Sequence, residues 1–379
     1  MSAPSTTRHR ASQIRANAKT HDIDLASLPF LEEALDSIAA IPEALSKPLP
    51  SFENATRIDT HVHPVPDWFR ALETNAAGRP TPSWDIISHL NFMAERRIKR
   101  SIICISTPQA NAFLGDKIKT VALARLLNEF GYELCKVFPD RFSFLAVAPF
   151  PYSEEAVREV RYAIEELGAV GVGVLTNHEG LYPGDEAFDG VWQYLQGRAE
   201  SERGIGGKEI VFIHPTEPVI RLDGSFKAWK PSTLRAGLGE FYFETARAIS
   251  SITAARTILR YPKLYWRVSH GAGAFPDIQD RFLLGFPNDA EEARKIFAER
   301  FFYDSAGPVY PRQIKGLLAH DVPTNQFVFG TDYPYGIGFW DVDANIAGLA
   351  DADFLADEEK EAIFYRNAEA LWKGKIENV

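Results

Sequence analysis

The chain has 379 residues, of which 45% are hydrophobic and 24% are charged, a balance typical of a globular protein with a large buried core. Its formal net charge of −10 at pH 7 argues against nucleic acid or an anionic membrane as a partner, because an acidic surface repels both. The first residues lack the apolar core of a signal peptide, and no stretch reaches the apolar length of a membrane span. We therefore expect a soluble, cytoplasmic protein.

Residues 1–56 differ in pattern from the rest of the chain. They begin with a polar stretch and continue with an amphipathic segment, Leu28–Leu45, which Pro42 interrupts and which Pro48 and Pro50 follow. We predict an N-terminal extension over residues 1–56, partly disordered and then helical, which packs on the body of the protein or on a second subunit.

From residue 57 onward, β-branched and aromatic runs alternate with segments of helical period, which is the pattern of repeated βα units. The runs are RIDTHVH (57–63), RSIICIS (100–106), FSFLAVAPF (142–150), VGVGVL (170–175), EIVFIH (209–214), LYWRVSH (264–270), FFYDS (301–305) and QFVFGTD (326–332). Because no GxGxxG motif follows any run, a closed parallel barrel fits better than an open doubly wound sheet. We predict an α/β fold in which residues 57–379 form a (β/α)8 TIM barrel.

Side chains that bind metals or move protons stand at the ends of four predicted strands. His61 and His63 end the first strand, His214 the fifth, His270 the sixth and Asp332 the eighth. A barrel brings the carboxyl ends of its strands to one rim, so these residues are expected to share a pocket.

The first-strand pair points to one side of its strand, because side chains alternate faces with a period of two. An isolated HxH pair is a weak signal of a metal site, but a strand-ending histidine and aspartate strengthen it against coincident core histidines. We therefore predict that His61, His63, His214 and Asp332 are metal ligands. Imidazole and carboxylate groups suit Zn²⁺ and also Mn²⁺, and we favour zinc.

Four motifs carry a resemblance to a known family. IDTHVHP (58–64), IHPTEP (213–218), SHGAG (269–273) and FGTDYP (329–334) together resemble the amidohydrolase-related, metal-dependent decarboxylases. This group includes aminocarboxymuconate semialdehyde decarboxylase, γ-resorcylate decarboxylase and the fungal 6-methylsalicylate decarboxylases. The fungal branch is the most similar, through VFIHPTEPV, FFYDSAGPV and VFGTDYP. The likeness extends over about residues 57–375.

The resemblance implies roles for individual residues. It implies that His61, His63, His214 and Asp332 bind one divalent ion, that His270 moves protons, and that the protein is a homodimer. No lysine ends the fourth strand, where VGVGVLTNH stands, so the two-metal arrangement bridged by a carboxylated lysine is not expected.

Three functions are compatible with these residues. The first choice is nonoxidative decarboxylation of a small hydroxylated aromatic acid of the 6-methylsalicylate or 2-hydroxybenzoate type, with His270 or Asp332 supplying the proton. His270 is preferred as the donor, because a metal-bound carboxylate is held anionic. The alternatives are metal-dependent hydrolysis of a lactone, ester or amide, and a barrel that binds a partner without catalysis.

Further residues in the loops after the strands are candidates for weaker roles. Asp304, which ends the seventh strand, is predicted to orient a metal ligand through a hydrogen bond; the alternative is a buried carboxylate capped by backbone N–H groups. The candidate substrate contacts are Trp68, Arg70, His178, Trp229 and Tyr335. For His178 the alternative is a loop histidine bound to water, and for Arg70 a solvated side chain.

Overall fold

The computed structural model describes residues 3–73, 75–76, 78–201, 204–229 and 233–376. Within them, the α-helices are Ala3–Thr20, Leu31–Ala40, Asp67–Arg70, Ile86–Glu95, Lys117–Val137, Ser153–Glu165, Asp189–Glu200, Glu240–Ala254, Thr257–Arg260, Phe275–Leu283, Ala290–Glu299, Arg312–Ala319, Val342–Ala350, Asp357–Glu361 and Asn367–Leu371. No described helix combines the length and the apolar character needed to cross a bilayer.

Eight parallel strands form the centre of the molecule. They are β1 (Arg57–Val62), β2 (Ile98–Ile103), β3 (Phe142–Phe144 continued by Ala146–Val147), β4 (Val172–Leu175), β5 (Glu209–His214), β6 (Leu264–Val268), β7 (Phe301–Asp304) and β8 (Phe327–Val328). Two antiparallel hairpins lie in the loops, Asn75–Ala76 with Arg79–Pro80 and Val219–Leu222 with Ser225–Ala228. Every strand predicted from the sequence is present.

The strands close into a barrel. They pair in sequence order from β1 to β8, and the circle closes where Thr60 N–H donates to the Phe329 carbonyl at 2.9 Å. A parallel bridge between Val62 and Tyr333 extends this seam. The predicted (β/α)8 fold is confirmed. β8 is shorter than predicted, because beyond Val328 the chain pairs with β1 only through separate contacts, such as those of Phe329 and Tyr333.

Most residues of the barrel strands are buried, because helices cover the outside and side chains fill the inside. All six residues of β5 are buried. Inside, Ile58, Ile102 and Phe212 belong to one cluster with Trp372 of the C-terminal segment. Apolar packing therefore fills the interior around β1, β2 and β5, and the polar residues collect where these strands end.

The N-terminal extension contains the helix Ala3–Thr20. The buried guanidinium of Arg10 in this helix pairs with Glu129 at 2.6 Å and with Glu133 at 2.7 Å. These acids belong to the helix Lys117–Val137, so the extension packs directly on the barrel. Its division from residues 57–379 as a separate unit stays a prediction.

Candidate metal centre and active site

The structure brings the four predicted metal ligands together. His61 lies in β1, His63 follows it, His214 is the last residue of β5, and Asp332 follows β8. One ligand atom from each of these four buried residues lies within 4.8 Å of all the others. Ligand atoms about 2.1 Å from a tetrahedral zinc ion are about 3.4 Å from one another, so small side-chain movements are enough for these four residues to hold one ion.

The hydrogen bonding of the histidines tests whether an ion fits this cluster. Nε2 of His61, Nε2 of His63 and Nδ1 of His214 are buried and have no hydrogen-bond partner. A buried polar atom without a partner is costly and calls for an explanation. Asp332 Oδ1 lies 3.1 Å from His63 Nε2 and 3.6 Å from His61 Nε2. A divalent ion among these atoms would satisfy all of them, and the nitrogen and carboxylate donors suit such an ion.

The protonation states of the cluster also favour ligation, since metal binding requires neutral imidazole and ionised carboxylate. Burial lowers the pKa of His61 to about 4, although Asp304 acts in the opposite direction. For Asp332, burial raises the pKa, but the hydrogen bond from His270 and the nearby His61 and His63 outweigh it and hold the pKa well below its ordinary value. The ring is therefore neutral and the carboxylate charged near pH 7.

Asp304 lies directly behind the metal cluster. Its Oδ2 is 2.8 Å from His61 Nδ1 and its Oδ1 accepts from the His270 backbone N–H at 2.7 Å. Burial raises the pKa of Asp304, but Arg267, paired with it at 2.7 Å, and His61 lower it to about 2. The charged carboxylate accepts the Nδ1 proton of His61, which leaves Nε2 of that ring free for an ion.

His63 is oriented in the same way by a different acceptor. Its Nδ1 lies 2.8 Å from the carbonyl of Cys104. A carbonyl only accepts hydrogen bonds, so Nδ1 of His63 carries the proton and Nε2 carries the lone pair. Both first-strand histidines therefore present Nε2 to the cluster.

His270 stands beside the cluster at the end of β6. Its Nε2 is 3.5 Å from Asp332 Oδ2, and its ring stacks on Tyr242 with centroids 5.7 Å apart and an interplanar angle of 19°. It lines the same cavity as His214 and Asp332. A histidine in this place is suited to move a proton to or from a molecule that lies on the cluster.

A cavity of about 330 Å³ opens above these residues. This volume is at the lower end of the range for ligand pockets, so a small molecule is the expected occupant. Much of the wall is aromatic or aliphatic, which suits a flat, partly apolar molecule. The lining residues besides His214, His270 and Asp332 are Arg79, Ser106, Thr107, Gly237, Leu238, Phe241, Tyr242, Pro308, Tyr335, Phe339 and Trp340.

Arg79 is a lining residue that sequence analysis missed. Among the described residues that line the cavity, it is the one arginine or lysine. Its guanidinium lies 4.2 Å from the ring centroid of Phe339 and donates to the Tyr335 carbonyl. The signal was absent from the sequence because Arg79 belongs to a two-residue strand in a loop, away from any barrel strand end. Tyr242 was also missed, because it lies on the helix Glu240–Ala254 and not at the end of a barrel strand.

Of the predicted substrate contacts, Tyr335 lines the cavity but Trp68 and Arg70 do not. Trp68 is 1% exposed and packs against Phe30 with ring centroids 5.9 Å apart. Arg70 donates through Nε to the Thr81 carbonyl at 2.9 Å. The short helix Asp67–Arg70 places these two side chains against the protein body, away from the cavity.

His178 and Trp229 also lie away from the cavity. His178 is buried, and its Nε2 accepts from the Leu175 backbone N–H at 3.0 Å while Nδ1 faces Asn111. Burial lowers the pKa of His178 to about 3. Trp229 is 48% exposed and lines a different cavity, beside Glu217 and Glu240. Their positions identify His178 as a packed loop residue and Trp229 as a surface residue.

Comparison with known proteins identifies the family of this chain. The family model described as amidohydrolase matches residues 58–374. The chain belongs to the amidohydrolase family. Two fungal relatives of this chain are decarboxylases. Decarboxylase macB of Penicillium terrestre is 26% identical over 294 residues, which are 74% of this chain and 84% of that protein. The 6-methylsalicylic acid decarboxylase of Penicillium expansum is 27% identical over 291 residues, which are 73% and 85%.

Solved structures agree with the barrel fold of this chain. One crystal structure of an amidohydrolase has a TM-score of 0.70 and 30% identity, over 84% of this chain and 99% of that chain. The 5-carboxyvanillate decarboxylase of Novosphingobium aromaticivorans, solved with manganese, has a TM-score of 0.69 and 18% identity, over 86% and 98%. The predicted resemblance to amidohydrolase-related decarboxylases is confirmed, and the His and Asp cluster supports a divalent metal ion.

Proposed function

We propose that this amidohydrolase-family protein is a metal-dependent, nonoxidative decarboxylase of a small hydroxylated aromatic acid of the 6-methylsalicylate or 2-hydroxybenzoate type. The observation that carries the proposal is the position of His270, whose ring lies 3.5 Å from the ligand cluster at Asp332 and faces a small aromatic-walled cavity. The fungal decarboxylases that match most of this chain support the same reaction.

The proposed reaction divides its tasks among the residues of the cavity. A divalent ion held by His61, His63, His214 and Asp332 would supply a Lewis acid for the adjacent carboxylate and phenolate oxygens of the substrate. His270 donates a proton to the ring carbon that bears the carboxylate. The bond between that carbon and the carboxylate then breaks, CO₂ leaves, and the electron pair of the broken bond restores the aromatic ring.

The walls of the cavity orient the substrate for this transfer. Tyr242 and Tyr335 line the cavity, and aromatic side chains pack favourably against a flat ring. Ser106 and Thr107 add hydroxyl groups that can bond to oxygen substituents of the ring. Arg79 provides a positive charge at the cavity wall, so it is suited to pair with the substrate carboxylate.

The proposal also covers the identity of the metal ion and the oligomeric state. We favour zinc, because its preferred ligands include histidine nitrogen and aspartate oxygen. Manganese is the alternative, and the manganese in the 5-carboxyvanillate decarboxylase structure supports it. The homodimer implied by the resemblance stays a prediction.

A substrate panel tests the reaction class. Protein loaded with zinc or manganese is incubated with a series of 2-hydroxybenzoates and, separately, with lactones and aryl esters. We expect CO₂ and the matching phenol from at least one 2-hydroxybenzoate, because the cavity suits one ring and the cluster suits its paired oxygens. Hydrolysis of a lactone or ester with no decarboxylation would instead identify a hydrolase that uses the same residues.

Replacing Arg79 by methionine is expected to raise KM for the aromatic acid by about tenfold or more, while kcat changes less. A hydrogen bond to a charged group contributes about 1.5–3 kcal/mol, and about 1.4 kcal/mol corresponds to a factor of ten in binding. Steady-state kinetics of the metal-loaded variant measure both constants.

Arg141 offers a matched control for this variant. Its guanidinium also rests on a phenylalanine, at 4.1 Å from the Phe52 centroid, but it precedes β3 at the opposite end of the barrel. Arg141→Met should leave KM unchanged. An unchanged KM in Arg79→Met would show that the substrate carboxylate has another partner.

A further inference from the structure

The chain makes an unusual turn where β6 ends. The four residues His270, Gly271, Ala272 and Gly273 have positive φ angles of 52°, 59°, 70° and 58°. Two of them carry a Cβ atom, for which this region of conformational space is unfavourable. Such a segment persists only where surrounding contacts hold it, and these segments concentrate at functional sites.

Two side chains from other elements hold this turn. Asp304 Oδ1 accepts from the His270 backbone N–H at 2.7 Å. Gln313 Nε2 lies within hydrogen-bond distance of three carbonyl oxygens, those of His270 at 2.5 Å, Gly271 at 3.1 Å and Gly273 at 3.1 Å. A single amide group therefore joins the first, second and fourth residues of the turn.

The packing of the turn against Gln313 is close. A Cβ atom added to Gly271 would lie 2.9 Å from Gln313 Nε2 and 3.0 Å from its Cδ. On the other side, a Cβ atom on Gly273 would lie 2.5 Å from the Tyr242 carbonyl. The turn is thus confined between the helix that carries Gln313, Arg312–Ala319, and the helix that carries Tyr242.

We propose that Gln313 is a positioning residue for the proton transfer, which it serves by fixing the backbone turn that carries His270. This inference rests on the proposed function, in which His270 is the proton donor. Gln313 binds backbone carbonyls of the turn, and it is not among the residues that line the cavity. Asp304 also binds the His270 backbone, but it contacts the metal ligand His61 as well. A substitution of Gln313 therefore tests the positioning of His270 without disturbing a contact to a metal ligand.

The geometry explains why this support should affect the rate. Proton transfer requires donor and acceptor atoms at hydrogen-bond distance, and a displacement of about 1 Å costs up to about a hundredfold in rate. Without the Gln313 amide, the three carbonyls lose their shared donor and the left-handed residues are free to relax. His270 would then be displaced while the metal ligands keep their own contacts.

Gln313→Met tests the inference, because it removes the amide donors and keeps the side-chain length. We expect kcat to fall about tenfold or more, with KM within about twofold and metal content equal to wild type. Arg312→Met, an exposed neighbour on the same helix, is the control and should behave as wild type. Gln313→Asn, in which the amide is one carbon shorter, is the milder second variant and should give an intermediate kcat.

A measurement independent of turnover separates this inference from the proposed function. Imidazole ¹⁵N spectra of the zinc-loaded protein, with the His270 signals assigned from His270→Asn, should show those signals shifted in Gln313→Met. The buried His89 and His178 serve as internal references and should not shift. Unchanged His270 signals with unchanged kcat would overturn the inference. Shifted signals in a wild type that decarboxylates no acid would support the positioning and reject the proposed reaction.

Discussion

Replacing His270 by asparagine is expected to lower kcat for decarboxylation by about a thousandfold. General acid catalysis by a positioned side chain contributes about 10²–10⁴ in rate, and asparagine supplies no comparable proton at this position. Asparagine tolerates the left-handed backbone conformation of residue 270, φ 52°, so the turn and the cavity should persist. Single-turnover measurements on the metal-loaded variant would isolate the chemical step from product release.

Two comparisons make this result specific. Metal content and KM should match wild type, because His270 is not one of the four residues of the ligand cluster. His320→Asn is the control, since His320 follows the helix Arg312–Ala319 and does not line the cavity. If His270→Asn keeps its rate, the proton comes from elsewhere and Asp332, the donor that the sequence left open, becomes the residue to test.

Replacing His214 by alanine is expected to remove the bound ion and to lower kcat/KM by about a thousandfold or more. A catalytic metal contributes several kcal/mol of transition-state stabilisation, and about 4 kcal/mol corresponds to a factor of a thousand. His214 is chosen over Asp332 because Asp332 is also the alternative proton donor. Metal content would be measured by mass spectrometry of the purified protein and activity with the preferred 2-hydroxybenzoate.

A second experiment removes the metal ion from the wild-type protein and then adds it back. Chelation of the wild type should abolish activity and lower its thermal midpoint, because a ligand that binds only the folded state stabilises it. Added zinc or manganese should restore both, and the ion that restores more activity decides between them. A His214→Ala protein with full metal content and full activity would contradict the ligand set.

The sequence by itself was sufficient to predict the barrel and the functional residues at the ends of its strands. The runs from RIDTHVH to QFVFGTD predicted eight strands because they are rich in β-branched and aromatic residues and alternate with segments of helical period. His61, His63, His214 and Asp332 were then predicted to meet, since a closed barrel places all its strand ends on one rim. The strand pattern and the barrel geometry are enough to place these four residues together, and the packing of the loops need not be known.

The tertiary structure decided which loop residues reach the cavity. Trp68 and His178 were predicted from the sequence to lie in loops at the rim of the barrel, but their side chains are buried in the core. Arg79 lines the cavity from a short hairpin that has no recognisable pattern in the sequence. The contact between Gln313 and the His270 turn could not be predicted from the sequence either, because it joins residues 43 positions apart through one amide group and three carbonyl groups. Strand ends are ordered by a repeating ladder of hydrogen bonds, whereas loops and crossing helices are placed by packing with residues remote in the chain. For this protein, the ligand cluster was therefore readable from local sequence, and the walls and supports of the site were determined only by the complete fold.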